Sequence, residues 1–178
     1  MNLKILIAGG TCSGKSTLTL RIAEHTGYPI TSFGSILRKY AYENNLPLTV
    51  ESLQKIGQEF IDKLGYDGFL QWTMEHSPQI QWNGALVVDG IRHVAMHESI
   101  TRMFPINVLV YCVCDKQIQL ERLINRDSIS LEDAERIVSH PLEQFVSEFE
   151  HIAHLLFRSG DSTENFLAQL QVLIEKIR

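Results

Sequence analysis

The sequence predicts a three-layer α/β protein with a central parallel sheet of about five strands. Short apolar runs of strand length alternate with longer segments in which apolar residues recur at helical spacing. The run from Ile106 to Cys114 is apolar almost throughout, which is typical of a strand that helices cover on both faces. Strands and helices that alternate in this way form parallel sheets, because each helix returns the chain to the start of the next strand.

The predicted strands are bounded by turn or cap residues, and the predicted helices carry apolar stripes. In one helix the stripe runs from Leu53 to Leu64, and Thr49 is a good N-cap for it. Residues 152–157 fit either an extension of the preceding helix or a last strand, and we favour the strand. The other strands are predicted at Leu3–Ala8, Pro29–Ser32 and Leu86–Asp89, and further helical stripes run through Leu120–Ile124, Leu142–Phe149 and Phe166–Ile177.

Length and composition favour one domain of 178 residues, 44% of them hydrophobic. The formal charge of -5 argues against a nucleic-acid partner, since such proteins present a basic surface. The three cysteines form no C-x-x-C pair and no even-numbered disulfide framework. We therefore expect a reducing compartment, the cytoplasm, and neither a signal peptide nor a membrane partner.

A phosphate-binding loop is the most specific motif. Residues 9–16 read GGTCSGKS and fit G-x-x-x-x-G-K-[ST] between a predicted strand and a predicted helix, which indicates a P-loop NTPase fold. Lys15 would reach the β and γ phosphates of ATP, Ser16 would ligate Mg²⁺ and Thr17 would support the α phosphate. The expected nucleotide-binding residues are Gly9, Gly10, Thr11, Cys12, Ser13, Gly14, Lys15, Ser16 and Thr17.

A second acidic residue completes the expected metal site. Asp89 ends the apolar run of a predicted strand, where ligands of open α/β sheets gather, and is a Walker B candidate. It would hold Mg²⁺ with Ser16 or orient the attacking oxygen. His93 and His97 stand at helical spacing, but no third ligand accompanies them, so we interpret them as structural or solvated.

The segments after two strands resemble those of nucleoside monophosphate kinases of the adenylate and cytidylate kinase type. The segment Asp89-Gly90-Ile91-Arg92-His93 is similar to the D-G-x-P-R-like segment of that family. Ser32-Phe33-Gly34-Ser35-Ile36-Leu37-Arg38 is similar to its S-T-G-D-x-x-R pattern, with Ser35 in place of the usual acid. The resemblance implies that Gly34, Arg38 and Arg92 bind the acceptor, the two arginines at its phosphate.

A further resemblance predicts a short lid. The segment Gln119–Asp127 resembles the helix that opens the lid in these kinases, and it places Arg122 and Arg126 on one face as catalytic candidates. Residues 130–141 resemble instead the lid helix of dephospho-coenzyme A kinases, which makes Arg136 a further candidate for substrate binding. We expect a helical acceptor-binding insert at about residues 36–77 and a lid at about 126–141.

Together these features favour an ATP- and Mg²⁺-dependent kinase that acts on a small phosphorylated acceptor, a nucleoside or deoxynucleoside monophosphate. Dephospho-coenzyme A kinase activity is the alternative within the same class. A nucleotide-dependent switch or ATPase, or a catalytically silent nucleotide-binding module, is the alternative from another class. The sequence has no N-K-x-D guanine-reading motif, and it keeps the acceptor-type arginines Arg38 and Arg92.

Overall fold

The computed structural model describes residues 2–140, 143 and 145–177 and contains one sheet of five parallel strands. The strand order is β2-β3-β1-β4-β5, so the strand before the phosphate loop lies at the centre. The predicted parallel sheet is thereby confirmed. The strands are β1 (Lys4–Gly9), β2 (Ile30–Ser32), β3 (Leu86–Ile91), β4 (Asn107–Val113) and β5 (Leu155–Arg158).

Helices connect the strands and cover both faces of the sheet. They are α1 (Lys15–Thr26), α2 (Phe33–Glu43), α3 (Val50–Glu75), α4 (Val94–Met103), α5 (Lys116–Asp127), α6 (Leu131–Val138) and α7 (Thr163–Ile177), with a 3₁₀ helix at Val146–His151. Among the described residues, no helix is both long enough and apolar enough to cross a membrane.

The two faces of the sheet are packed by different helices, because side chains of β1 alternate between them. Ile5 and Ile7 pack with α1 and α7, whereas Leu6 and Ala8 pack with α2, α3, α4 and the 3₁₀ helix. Helices α5 and α6 form a separate small apolar cluster around Leu123. The fold has three layers, as predicted.

Two segments near the C-terminal end differ in detail from the prediction. The last strand that we favoured for residues 152–157 is present, but it begins at Leu155, which pairs with Val110 of β4. Ile152 does not belong to the strand and is the C-cap of the 3₁₀ helix. The last part of the predicted stripe, Val146–Phe149, lies in that 3₁₀ helix, whose buried residues are Val146 and Phe149. Leu142 and Pro141, the last residue of the expected lid, lie outside the described residues.

Residues from both segments expected to form the insert and the lid lie beside the phosphate loop, since Arg38, Gln54 and Arg126 line a cavity together with Lys15. Thr49 caps α3 as predicted, since its hydroxyl accepts a hydrogen bond from the Ser52 N–H at 3.2 Å. Helix α3 kinks at Gly65, which adopts φ 67° directly after the last residue of the predicted stripe. On the lid side, Ala134 of α6 packs against Leu123 of α5.

Candidate functional site

The phosphate loop runs from β1 into α1 and depends on glycine at two positions. Gly9 has φ 147°, and a Cβ there would lie 2.8 Å from the Cys112 carbonyl oxygen in β4. Gly14 has φ 92° and is the N-cap of α1. Among the described residues, no side chain accepts a capping hydrogen bond from the first N–H groups of this helix. The first N–H groups of a helix have no intrahelical acceptor, so an anion can take their hydrogen bonds.

A cavity of about 700 Å³ opens beside this loop, and we call it the donor cavity. Four cationic side chains and no acidic one occur among its described lining residues. Such a surface attracts a polyanion such as the triphosphate of ATP. The lining residues are Cys12, Ser13, Gly14, Lys15, Ser16, Thr17, Leu18, Arg21, Arg122, Arg126, Phe157, Ser159, Gly160 and Thr163.

Lys15 is buried and folds back onto the loop. Its Nζ donates to the carbonyl oxygen of Gly10 and lies 3.4 Å from the Ser13 hydroxyl. Burial and, to a smaller extent, the charge of Arg92 lower the pKa of Lys15 to about 8, against the opposing charge of Asp89. The ammonium is therefore close to its titration point at neutral pH and would gain stability from phosphate charge.

Asp89 lies in β3 opposite Ile7 of β1 and Ser32 of β2. Its Oδ1 is buried and has no hydrogen-bond partner in the part of the chain that the structure describes. Burial raises the pKa of this carboxyl, against the opposing charge of Lys15. Asp89 and Ser16 line one cavity. An unsatisfied carboxylate oxygen and a hydroxyl are oxygen ligands that suit a hard cation, so these residues fit Mg²⁺.

A second cavity of about 470 Å³ lies between the phosphate loop, the end of β3, and helices α2 and α3. We call it the acceptor cavity. One wall is apolar and includes Phe33, Leu37, Leu53, Ile61 and Phe69. Its other described lining residues are Thr11, Cys12, Lys15, Ser16, Ser32, Gly34, Ser35, Arg38, Val50, Gln54, Gly57, Gln58, Asp89, Gly90, Arg92, His93, Met96 and Arg126.

The donor and acceptor cavities meet at the phosphate loop. Cys12, Lys15, Ser16 and Arg126 line both of them. A group bound in one cavity would therefore face a group bound in the other across the lysine and the serine of the motif. Of the other expected site residues, Gly34, Arg38, Asp89 and Arg92 line the acceptor cavity, whereas Gly9 and Gly10 are buried and line neither cavity.

The lid-side arginines have different surroundings. Arg122 donates to the Cys12 carbonyl oxygen at 3.3 Å and to the Ser159 hydroxyl at 3.0 Å, so it lies across the donor cavity. Arg126 makes two hydrogen bonds of 2.7 Å to the carboxylate of Asp127. Arg136 lies 3.4 Å from Glu51 at the start of α3, also pairs with Asp133, and lines neither cavity.

Sequence reasoning missed two residues of this site. Glu143 is buried and contacts both Thr11 and Arg92, and Gln119 donates to the Thr11 carbonyl oxygen at 3.0 Å. Gln119 opens the segment that resembles the lid-opening helix, but no sequence pattern assigned a contact to it or to Glu143, so only the folded chain reveals these contacts. His93, interpreted from sequence as structural or solvated, lines the acceptor cavity with its Nδ1 at 3.2 Å from the Tyr66 hydroxyl, and burial lowers its pKa.

The sheet order, the phosphate loop and the two cavities define an α/β protein with a P-loop kinase-like fold. The sequence profile of the AAA_18 family, described as an AAA domain, matches residues 5–142. The chain belongs to that family.

Individual proteins extend the comparison. A UPF0200/UPF0201 protein of Archaeoglobus fulgidus is 27% identical to this chain over 97% of the chain's length. The chain spans only about half of that relative, since the match covers 55% of the relative's length. The shikimate kinase structure from Bacteroides thetaiotaomicron superposes with a TM-score of 0.55 at 17% identity, covering 97% of this chain and 98% of the other. The structure of a gluconokinase from Sinorhizobium meliloti superposes with a TM-score of 0.52 at 17% identity. That superposition covers 98% of this chain and 94% of the gluconokinase chain. At these identities the structural likeness shows the shared fold.

Proposed function

We propose that the protein transfers the terminal phosphoryl group of ATP to a small phosphorylated acceptor, a nucleoside or deoxynucleoside monophosphate. The observation that carries the proposal is the junction of the two cavities at Lys15, Ser16 and Arg126. A nucleotide switch or an ATPase needs only a nucleotide site, whereas a kinase needs a second site that opens onto the same phosphate. The acceptor cavity supplies that second site.

The donor side fits ATP in charge and in shape. Lys15, Arg21, Arg122 and Arg126 supply positive charge around the loop. The N-terminus of α1, with Gly14 as its cap, adds N–H donors and the positive end of the helix dipole. Phe157 and Gly160 line the part of the cavity beyond the loop, where the flat face of a base could pack.

The acceptor side combines an apolar wall with groups suited to a phosphate ester. Arg38 is exposed and has no partner among the described side chains, and Arg92 lines the same cavity. Planar guanidinium groups match a phosphate through paired N–H donors. Gln54 is buried, and its Oε1 is without a partner among the described residues, so it can accept a hydrogen bond from the acceptor's base or sugar.

Transfer then depends on placement and on charge. Mg²⁺, when held by Ser16 and Asp89, supplies positive charge at the phosphate oxygens. Lys15 orients the transferring group, and Arg126, which both cavities share, lies where negative charge develops. Arg38 and Arg92 hold the acceptor so that its oxygen approaches in line.

The test is ADP formation from ATP and Mg²⁺ across a panel of acceptors. The panel contains ribo- and deoxyribonucleoside monophosphates, nucleosides and dephospho-coenzyme A, with Lys15→Ala as the blank. We expect ADP formation to depend on one or a few nucleoside monophosphates. Dependence on dephospho-coenzyme A alone would keep the kinase and replace the acceptor, while ADP formed at the same rate without any acceptor would contradict the proposal.

A further inference from the structure

Glu143 is a buried carboxylate at the centre of a hydrogen-bond network. Its side chain is only 3% exposed, and it lies just after α6, far in sequence from the phosphate loop that it contacts. Oε2 accepts a hydrogen bond from the Thr11 N–H at 2.6 Å, and Oε1 accepts one from the Thr11 hydroxyl at 2.7 Å. Oε1 also accepts from Nη1 of Arg92 and lies 3.5 Å from Nε2 of Gln54.

The charge on Glu143 is maintained by its partners. Burial raises the pKa of the carboxyl, but the charge of Arg92 and the two hydrogen bonds from Thr11 outweigh burial and lower the pKa overall. Lys15 acts in the same direction. A buried carboxylate of this kind is retained in the ionised form and holds its partners at fixed positions.

The phosphate loop is shaped to admit this network. A Cβ on Gly10 would lie 2.8 Å from Oε2 of Glu143 and 2.6 Å from Nε2 of Gln119. Gln119 bonds the Thr11 carbonyl oxygen while Glu143 bonds the Thr11 N–H, so side chains from two later segments hold this residue from both sides. Gly10 leaves the room that both side chains need.

Arg92 connects the network to the acceptor cavity. Its side chain is 27% exposed and lines that cavity, and Nη2 lies 3.3 Å from the Thr11 hydroxyl. A guanidinium has five N–H donors, and these contacts use only part of them. The remaining donors are available to an anion in the cavity.

We propose that Glu143 is a positioning residue that orients Arg92 for the anionic group of the acceptor and ties that arginine to the phosphate loop through Thr11. The proposal deepens the proposed function and rests on it. A guanidinium that is already held loses less conformational freedom when the acceptor binds. Without the carboxylate, Arg92 samples other rotamers, so acceptor affinity falls while the donor site keeps its residues.

The variant Glu143→Gln keeps the shape of the side chain and removes its charge. With the acceptor that the panel identifies, we expect the acceptor KM to rise about tenfold, and kcat and the KM for ATP to change less than about twofold. Glu175→Gln is the matched control, because Glu175 is exposed on α7 and lines neither cavity. In an Arg92→Met background, Glu143→Gln should have no further effect on the acceptor KM, because the effect passes through Arg92.

A second readout does not depend on turnover. Phenylglyoxal labels guanidinium groups, and mass spectrometry of peptides gives the labelling rate of each arginine. We expect Glu143→Gln to raise the rate at Arg92 several-fold and to leave the rate at Arg38 unchanged. Thr11→Val removes the hydroxyl that contacts both Glu143 and Arg92, so it should also raise the labelling rate at Arg92. This variant replaces Glu143→Gln in the experiment if Glu143→Gln does not fold.

The outcomes separate the two proposals. If no acceptor supports ADP formation, the proposed function fails, and labelling of Arg92 still reports whether Glu143 holds it. An unchanged labelling rate at Arg92 would overturn the positioning role whatever the acceptor. An unchanged acceptor KM, a loss confined to kcat, or a full effect of Glu143→Gln in the Arg92→Met background would overturn it too.

Discussion

Lys15 donates a hydrogen bond from Nζ to the carbonyl oxygen of Gly10, five residues earlier in the same loop. The ammonium is thus held among backbone dipoles inside the loop rather than in solvent. This position explains why burial, together with the charge of Arg92, lowers its pKa to about 8. It also means that the charge state of Lys15 depends on pH in the range where the protein would be assayed.

The pH dependence of ATP affinity is the first prediction. Phosphate charge favours the ammonium, so above pH 8 ATP binding takes up a proton at Lys15 and the apparent Kd rises by up to about tenfold per pH unit. Calorimetry between pH 7 and pH 9.5 in buffers of different ionisation enthalpy measures both effects. Lys15→Arg stays charged and should bind ATP independently of pH in this range. A wild-type Kd that is flat up to pH 9.5 would rule out the role of Lys15.

Asp89→Asn separates catalysis from stability. Removing a buried carboxylate whose Oδ1 has no partner among the described residues should raise the Tm at pH 7. Burial raises the pKa of Asp89 in the folded state. The difference in Tm between Asp89→Asn and the wild type should therefore shrink as pH falls, because the wild-type carboxyl becomes protonated and loses its unfavourable buried charge. The kcat should fall by about two orders of magnitude or more, since a metal ligand is lost.

Calorimetric or fluorescence melts and Mg²⁺ titrations of activity check this prediction. Asp67→Asn is the control for activity, since Asp67 is exposed on α3, pairs with Arg102 on the surface and lines neither cavity. A lower Tm combined with full activity for Asp89→Asn would mean that Asp89 is a structural residue.

The arginines on opposite sides of the site should give opposite kinetic signatures. We expect Arg38→Ala to raise the acceptor KM with a smaller effect on kcat, because Arg38 lines only the acceptor cavity. Arg126→Ala should lower kcat by about two to three orders of magnitude, because Arg126 lines both cavities. Steady-state kinetics with each substrate varied in turn measures both values.

Arg102→Ala is the control for these variants, since Arg102 pairs with Asp67 on the surface. If Arg38→Ala and Arg126→Ala both weaken ATP binding alone, to the same extent, the division of roles is wrong.

Gly9→Ala tests the loop as a structural feature. The new Cβ would meet the Cys112 carbonyl oxygen at 2.8 Å, and β4 backbone cannot move aside as a flexible side chain can. Gly27→Ala is the matched control: Gly27 also has a positive φ, of 71°, but a Cβ there meets no described atom within 4 Å. We expect Gly9→Ala to cost about 2 kcal/mol more than the control in chemical denaturation. Equal costs would show that the loop tolerates a side chain at this position.

The parts of the fold that were predictable from sequence are those encoded locally. The phosphate loop is a contiguous motif, Leu86–Val88 is a continuous apolar run, and Thr49 caps the helix that begins at the next residue. Residues 152–157 were ambiguous because periodicity cannot decide a short apolar run. Pairing of Leu155 with Val110 decides it, and that pairing exists only in the folded chain.

The parts that were not predictable depend on contacts between distant segments. Glu143 is one acidic residue within an apolar stripe, and nothing near it in sequence indicates that it meets Thr11. Arg136 illustrates the opposite case, since a motif suggested a phosphate contact and the structure pairs it with Glu51 and Asp133. Its role in substrate binding stays a prediction.

The central claim is that the phosphoryl group crosses from the donor cavity to the acceptor cavity. The direct measurement uses ATP labelled at the γ-phosphate, Mg²⁺ and the best acceptor of the panel, with chromatographic separation of the products and Lys15→Ala as the blank. A kinase places the label in the phosphorylated acceptor, with ADP formed in equal amount. Label recovered only as inorganic phosphate, at a rate that does not depend on the acceptor, would contradict phosphoryl transfer between the two cavities.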